Sequence, residues 1–545
     1  MDSQLQAVLI DKRLTLGARV LQSFFKRVSQ APTNPSQHAS LHEFDIGDLY
    51  RGPIAMAESD SGSALPLDEK LRQAYFWIVN HAVISPFYDI EYNEGAAQSY
   101  PIGERGNLVV LPSGQSYCSF VLLPMLTFAV RAKCLLVGGP GRGKTTSAVL
   151  MGVLAGYPIQ EVRRAIQKGQ PQMTIADLLG NPLPSDLIKA QSIDQIGIAW
   201  RKWLSMRVKI IDEYNRIPTR TQSALLTLMS DNYAELYDQT YECPEAAWYL
   251  TANDDAGGGT YQVIEALRDR IDIVVKALHF NSRFLGDLLS RIEAGIRPEE
   301  VVPAEILFTA AESERVHREI RLIPIPANVL RRLEFFASQF EYLESAALQF
   351  EYKTKDTAKL SAIDWNQLSS AESGKDKLKD VGAQTKNGIS VRSIMTTLSF
   401  VKALAYFRGS NQVELEDLRQ ILPFVLHDKL VQDPDCPFFE AADNAALRSD
   451  KVGWIRRMFD MACAEYDRLQ LDQDDPVLAL TRQFEEGLDG VSQKQVRQRL
   501  VEIERLMKSW SGSRKFYGHM YDDVLKLKYL HQRYTNYLRW LTWKE

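Results

Sequence analysis

At 545 residues the chain exceeds one ordinary domain, and about 100–200 residues per domain implies three or four. Apolar residues make up 45% and charged residues 24%, ordinary for a globular protein, and a net charge of −5 gives no overall basic field of the kind nucleic-acid binders carry. Five dispersed cysteines (Cys118, Cys134, Cys243, Cys436, Cys463) contain no CxxC pair, which argues against a zinc site or a disulfide framework.

The amino terminus lacks the basic-then-apolar order of a signal peptide, and the longest apolar run, 118–130, is too short to span a bilayer. A cytoplasmic location and no membrane segment are therefore expected. Residues 1–100 carry no chemical signature and are expected to be an extension, with loops at 29–40 and 58–66. Helical spacing of Leu71, Tyr75 or Phe76, and Val79 predicts a helix over 67–82. From about 131 short apolar runs alternate with helical stretches. "CLLV" (134–137), "VKIID" (208–212), "AWYLTAN" (247–253) and "IDIVVKAL" (271–278) read as buried strands, so an α/β fold with a mainly parallel sheet is expected over 101–280.

Beyond 280 the strands stop. Residues 328–348 and 391–408 have helical periodicity, and a polar insertion at about 349–387 separates them within a helical unit spanning 281–435. The tail, 436–545, is expected to be a helical domain. Asp475-Pro476 starts one helix, Ser492 with Gln495 forms a capping box for the next, and a Ser-Gly-Ser turn at 511–513 leads to a third. Apolar stripes through Val496, Leu500 and Ile503, and through Val524, Leu527 and Tyr534, call for an antiparallel pair or small bundle.

The chemistry is concentrated between 138 and 270. "GGPGRGKTT" comprises Gly138, Gly139, Pro140, Gly141, Arg142, Gly143, Lys144, Thr145 and Thr146, and it matches G-x-x-x-x-G-K-[ST] between a strand and a helix. Glycines let the loop amides converge on phosphates, the helix amino terminus adds its dipole, Lys144 can reach the β- and γ-phosphates of ATP, and Thr145 can ligate Mg²⁺. Asp212 ends an apolar strand and can hold the magnesium through water. Glu213, next to it, is placed to act as general base on the attacking water. Asn253 ends another strand, where its amide can bridge the γ-phosphate and that water. Arg268 and Arg270 precede the last strand, and either could serve a neighbouring subunit's γ-phosphate as a finger, Arg270 being the better placed. Arg216 has no assignable chemistry.

Taken together, 131–435 resembles the AAA+ ATPases, and within them the MoxR family. "LLVGGPGRGKT" looks like the family's P-loop, "TIADLLG" (174–180) is similar to its sDllG segment, and "IDEYNRIPTRTQSALLTLMSD" resembles its DE-x-NR-x-P-x-x-x-QSALLEAM signature. "TANDDAGGGTYQVIEALRDRID" resembles the sensor 1 region, with Asp269-Arg270 on the family's Asp-Arg, and "NGISVRSIMTTLSFVKALAYFRGS" places Arg392 on the sensor 2 position. The resemblance implies a P-loop αβα sandwich, a helical lid, and a ring, usually hexameric, with ATP at subunit interfaces. It further implies a chaperone that remodels or matures protein complexes, often with a von Willebrand factor A domain partner. The chain departs from the family in Thr251-Ala252-Asn253-Asp254, in the missing Gly-Pro before the Asp212 strand, and in the lid insertion. Two other functions stay open: a nucleic-acid-directed motor, disfavoured by the acidic balance, and an ATP-gated assembly scaffold, disfavoured by Glu213.

Overall fold

Residues 66–85, 87–103, 107–183, 196–253, 265–295, 297–340, 355, 381–473, 475–511 and 519–544 are described by the computed structural model. The expected loops at 29–40 and 58–65, most of the polar insertion, the end of the helix expected over 328–348, the Gly259-Thr260-Tyr261 match and most of the 511–513 turn lie outside these residues.

The first elements are α1 (Leu67–Trp77), prolonged by a π-helical turn (Ile78–Ala82), then β1 (Ile90–Glu91), the hairpin β2 (Gln98–Ile102) and β3 (Asn107–Leu111), β4 (Ser116–Tyr117) and α2 (Ser119–Val130). Next come β5 (Lys133–Val137), α3 (Lys144–Leu154), α4 (Ile159–Ala165), β6 (Gln167–Lys168), α5 (Ile175–Leu179), β7 (Gly180–Pro182) and β8 (Ile198–Trp200). They are followed by β9 (Val208–Asp212), α6 (Thr219–Asp231), β10 (Tyr233–Leu236), β11 (Gln239–Glu242), β12 (Ala247–Ala252), α7 (Glu265–Asp269) and β13 (Ile273–Lys276). Past β13 the long elements are helical: α8 (Leu285–Glu293), α9 (Ala310–Leu322), α10 (Ala327–Ser338), α11 (Val391–Arg408), α12 (Leu415–Leu426) and α13 (Lys451–Arg468). The last three are α14 (Pro476–Glu485), α15 (Gln493–Trp510) and α16 (His519–Lys544).

All four expected strands are present, and with β6 they form one parallel sheet in the order β13-β5-β12-β9-β6. Their apolar runs are continuous because both faces are covered. Alternation still sorts the side chains: Cys134, Leu136, Ile210, Tyr249 and Val275 join the core on one face. Leu135, Ile211, Trp248, Leu250 and Val274 join the other. Thr251 pairs with Leu136 and Ala252 with Val137, so β5 and β12 end level. The sandwich, the helical lid and the helical carboxyl-terminal region together form the AAA+ type of α/β fold expected from the sequence.

The run at 118–130 is the fully sequestered helix α2, apolar all round because it packs between α1, α11 and the sheet. The core on that face continues from Leu67 through the lid helices to Tyr466. Tyr92 donates to Asp417 (2.6 Å) and Arg408 pairs with the same carboxylate (2.8 Å), which ties the segment before α2 to α12.

Helices α14–α16 have a core of their own, including Val477, Leu480, Val496, Ile503, Leu527 and Tyr534. Asp475 caps α14 by accepting from the Leu478 amide (3.0 Å), and the Ser492–Gln495 capping box opens α15, both as the sequence indicates. Arg331 on α10 reaches this bundle through Asp475 (2.5 Å) and Asp523 (3.8 Å).

Burial drives the Asp523 carboxyl up to about 7, with Arg331 pulling the other way. The folded chain therefore keeps a proton that an unfolded aspartate releases near 3.9, about the free value. That contribution favours folding in acid and is lost as pH rises through about 7. Asp523→Asn removes the loss, so the variant should melt higher than the unchanged chain at pH 8, by less at pH 5, and match it only below about pH 4, near the free aspartate value. A lower melting temperature at pH 8 would instead give the balance to the Arg331 pair.

Candidate nucleotide site

The site lies at the carboxyl ends of β5, β9 and β12. Between β5 and α3 the loop 138–143 folds through three positive-φ glycines, Gly138 (φ 152°), Gly141 (φ 72°) and Gly143 (φ 76°). At Gly138 close approach adds a second reason for glycine, since a Cβ there would lie 2.7 Å from the Ala277 carbonyl oxygen. Arg142 donates to that same carbonyl (2.9 Å) and approaches His279 (3.1 Å), so it fastens the loop to the end of β13. Gly139, Pro140 and Gly141 form the bend between them, and Gly143 is the amino-terminal cap of α3.

Lys144 is buried at the start of α3, and its ammonium curls back over the loop. It donates to the carbonyls of Gly138 (2.6 Å) and Gly139 (2.8 Å) and to Asn253 Oδ1 (3.1 Å). Thr145 Oγ1 donates to Asp212 Oδ1 (2.8 Å), and Thr146 continues the first turn of α3. The cation, the glycine loop and the helix amino terminus thus lie together, an arrangement suited to a polyphosphate.

Glu213 adopts the left-handed conformation (φ 55°) immediately after β9. Such a backbone strains a non-glycine residue by about 1–3 kcal/mol and persists only where neighbours hold it. The neighbours are visible. Thr251 on β12 accepts from the Glu213 amide (2.9 Å) and donates to Asp212 Oδ1 (2.6 Å). The Glu213 carboxylate accepts from Asn253 Nδ2 (3.2 Å) and pairs with Arg216 (3.3 Å). Its side chain makes no helix cap. Lys144, Thr145, Asp212, Glu213 and Asn253 are therefore one connected hydrogen-bonded group.

Two residues in this network are given no role by the sequence reasoning. Thr251 enters it only as part of a departure from the family pattern; its signal is a hydroxyl on a strand whose residues are all buried. Arg216 acquires a partner, the Glu213 carboxylate, that the family signature alone does not specify.

The arginines stand apart from the phosphate loop. Arg270 donates to Ser230 Oγ on α6 and to the Ala266 carbonyl (2.8 Å). Arg392, in the first turn of α11, pairs with Asp269 (3.0 Å), which links the lid to α7. Arg268 faces the lid at Asp428, where burial raises the carboxyl but His427, Lys451 and Arg268 together hold it below the usual carboxylate range.

Residues 133–273 match the model of the ATPase family associated with various cellular activities (AAA), and residues 379–447 match that of the AAA lid domain. A curated relative, Chaperone MoxR1 of Mycobacterium tuberculosis (strain ATCC 25618 / H37Rv), is 22% identical over 300 residues, which cover 54% of this chain and 67% of that protein. A solved structure of a candidate ATPase from Cytophaga hutchinsonii aligns at a TM-score of 0.40 and 17% identity, covering 61% of this chain and 88% of that one. With the P-loop cradle, the paired acidic residues and the parallel sheet in one place, residues 133–273 form an AAA-type ATPase domain and 379–447 its lid. In its acid-bearing β9, the segment that follows and its likeness to MoxR1, the chain resembles the MoxR type. Among the described residues no helix is long and apolar enough to cross a membrane.

Proposed function

We propose that this chain hydrolyses ATP to ADP and phosphate as a Mg²⁺-dependent ring, usually hexameric in such proteins, and uses the energy to remodel or mature protein complexes in the cytoplasm. A von Willebrand factor A domain protein is the partner this reading favours. The observation that carries it is the contiguity of Thr145, Asp212, Glu213 and Asn253.

Thr145 Oγ1 and Asp212 Oδ1 lie 2.8 Å apart and are hard oxygen donors of the kind magnesium prefers, so these residues fit the ion. When bound, Mg²⁺ would neutralise charge on the β- and γ-phosphates. Lys144 exchanges its loop carbonyls for phosphate oxygens, and the glycine amides take the remaining oxygens. Glu213 accepts a proton as the water oxygen bonds to the γ-phosphorus. The bond from that phosphorus to the bridging oxygen breaks, and its electron pair leaves with ADP. Asn253, already touching both Lys144 and Glu213, orients the water against the phosphate. Arg270 must leave Ser230 to serve a neighbour's γ-phosphate, and Arg392 reports on the lid.

The name of the MoxR1 relative supports the chaperone part. Sedimentation with ATP, ADP or no nucleotide tests the assembly, together with phosphate release. The expected result is a ring-sized species in ATP that turns nucleotide over. A monomer in all three conditions would overturn the ring.

A further inference from the structure

A cavity of about 720 Å³ opens where β6 forms the outer edge of the sheet. Gln167 and Lys168 of β6 line it, and the buried side chains of Trp203 and Met206 also contribute. Arg164, Lys168, Arg201 and Lys202 contribute four positive charges against two carboxylates, Glu161 and Asp177, in a chain whose net charge is −5. Both carboxylates are already engaged: Glu161 pairs with Lys202 (3.2 Å), and Asp177 accepts from the Thr174 amide (3.0 Å) and hydroxyl (2.7 Å). Arg164, Lys168 and Arg201 are exposed and make no ion pair among the described residues.

The geometry points to a docking site for an extended acidic segment of a protein partner. Charge complementarity selects an anion. An edge strand offers main-chain groups to an extended peptide, and the aromatic and thioether lining suits side chains between its carboxylates. A volume of this size holds several residues.

The site also bears on hydrolysis. Lys168 is in register with Asp212, and the Gly169 amide donates to the Asp212 carbonyl (2.7 Å). A Cβ at Gly169 would overlap the Glu213 carbonyl oxygen, so no slack separates the cavity's edge strand from the general base. A peptide that shifts β6 shifts Glu213, and occupancy should raise ATP turnover. This coupling rests on the proposed ATPase function; the binding does not.

The test is fluorescence anisotropy of a labelled glutamate-rich decapeptide with the full chain and no nucleotide, then ATP turnover with and without the unlabelled peptide. The acidic peptide should bind at least about 10-fold more tightly than a lysine-rich one, and Lys168→Glu with Arg201→Glu should remove that preference. The same double variant should keep basal turnover and lose the stimulation. Lys168→Gln with Arg201→Gln, a milder change, should fall between, and a thermal melt identifies any variant that fails to fold. Equal binding of both peptides, or binding unaffected by the glutamine pair, overturns the site. Tighter binding of a single-stranded oligonucleotide than of the peptide overturns the choice of partner. If the acidic peptide binds but the unchanged chain never hydrolyses ATP, the proposed function fails and the docking site stands.

Discussion

Glu213→Gln should keep ATP bound while lowering its turnover by about 10²- to 10⁴-fold, the usual contribution of a general base. The amide keeps the size of the carboxylate but cannot take the proton from the attacking water. It can still accept from Asn253 through its oxygen, whereas the NH₂ end would meet Arg216 and break the 3.3 Å pair. Phosphate release should therefore fall while nucleotide retained on a filter stays unchanged. Lys144 and the phosphate loop, which do the holding, are untouched by the change. Sustained turnover would remove Glu213 from the chemistry and leave it a geometric residue at the end of β9.

Arg270→Ala should cost about 10³–10⁵ in rate, as loss of an arginine finger does in other phosphoryl-transfer systems, and the defect should be partly complementable. In the present conformation the Arg270 guanidinium is folded onto Ser230 and the Ala266 carbonyl, both within its own chain. Two neutral hydrogen-bond acceptors are readily exchanged for a phosphate, which pairs with guanidinium more strongly. Lys144→Ala destroys the other half of an interface. Mixing the two inactive proteins creates junctions with an intact Lys144 on one side and an intact Arg270 on the other. Recovered ATP hydrolysis in the mixture, at a level set by the share of such junctions, is the expected outcome. No recovery at any mixing ratio, with assembly verified by sedimentation, would place Arg270 in a structural role beside α6.

Legibility in the sequence followed burial. β5, β9, β12 and β13 could be found because parallel strands covered on both faces are apolar without interruption, and the motif residues sit at their ends. β6 was invisible for the opposite reason: its two residues, Gln167 and Lys168, form a polar edge whose membership depends on pairing with Ile211 and Asp212. The hairpins β2–β3 and β10–β11 escaped likewise, being local antiparallel pairs outside the main sheet. Motif spacing named Lys144, Thr145, Asp212, Glu213 and Asn253, which the fold brings into one hydrogen-bonded group. It could not name Thr251 or the Arg216 contact, because both depend on a left-handed turn at Glu213 that no local residue choice announces.

The carboxyl-terminal bundle has a mechanical consequence. α16 has 26 residues, so at 1.5 Å per residue it is about 39 Å long. Its near end is pinned by Asp523 to Arg331 on α10, while Trp540 and Trp543 near its far end are 43% and 78% exposed. A rotation of α10 by about 10° carried into this lever would sweep the tryptophan tip through about 7 Å, given that helical rise. A small domain adjustment at the nucleotide would thus become, at the tip, a stroke longer than one helical turn.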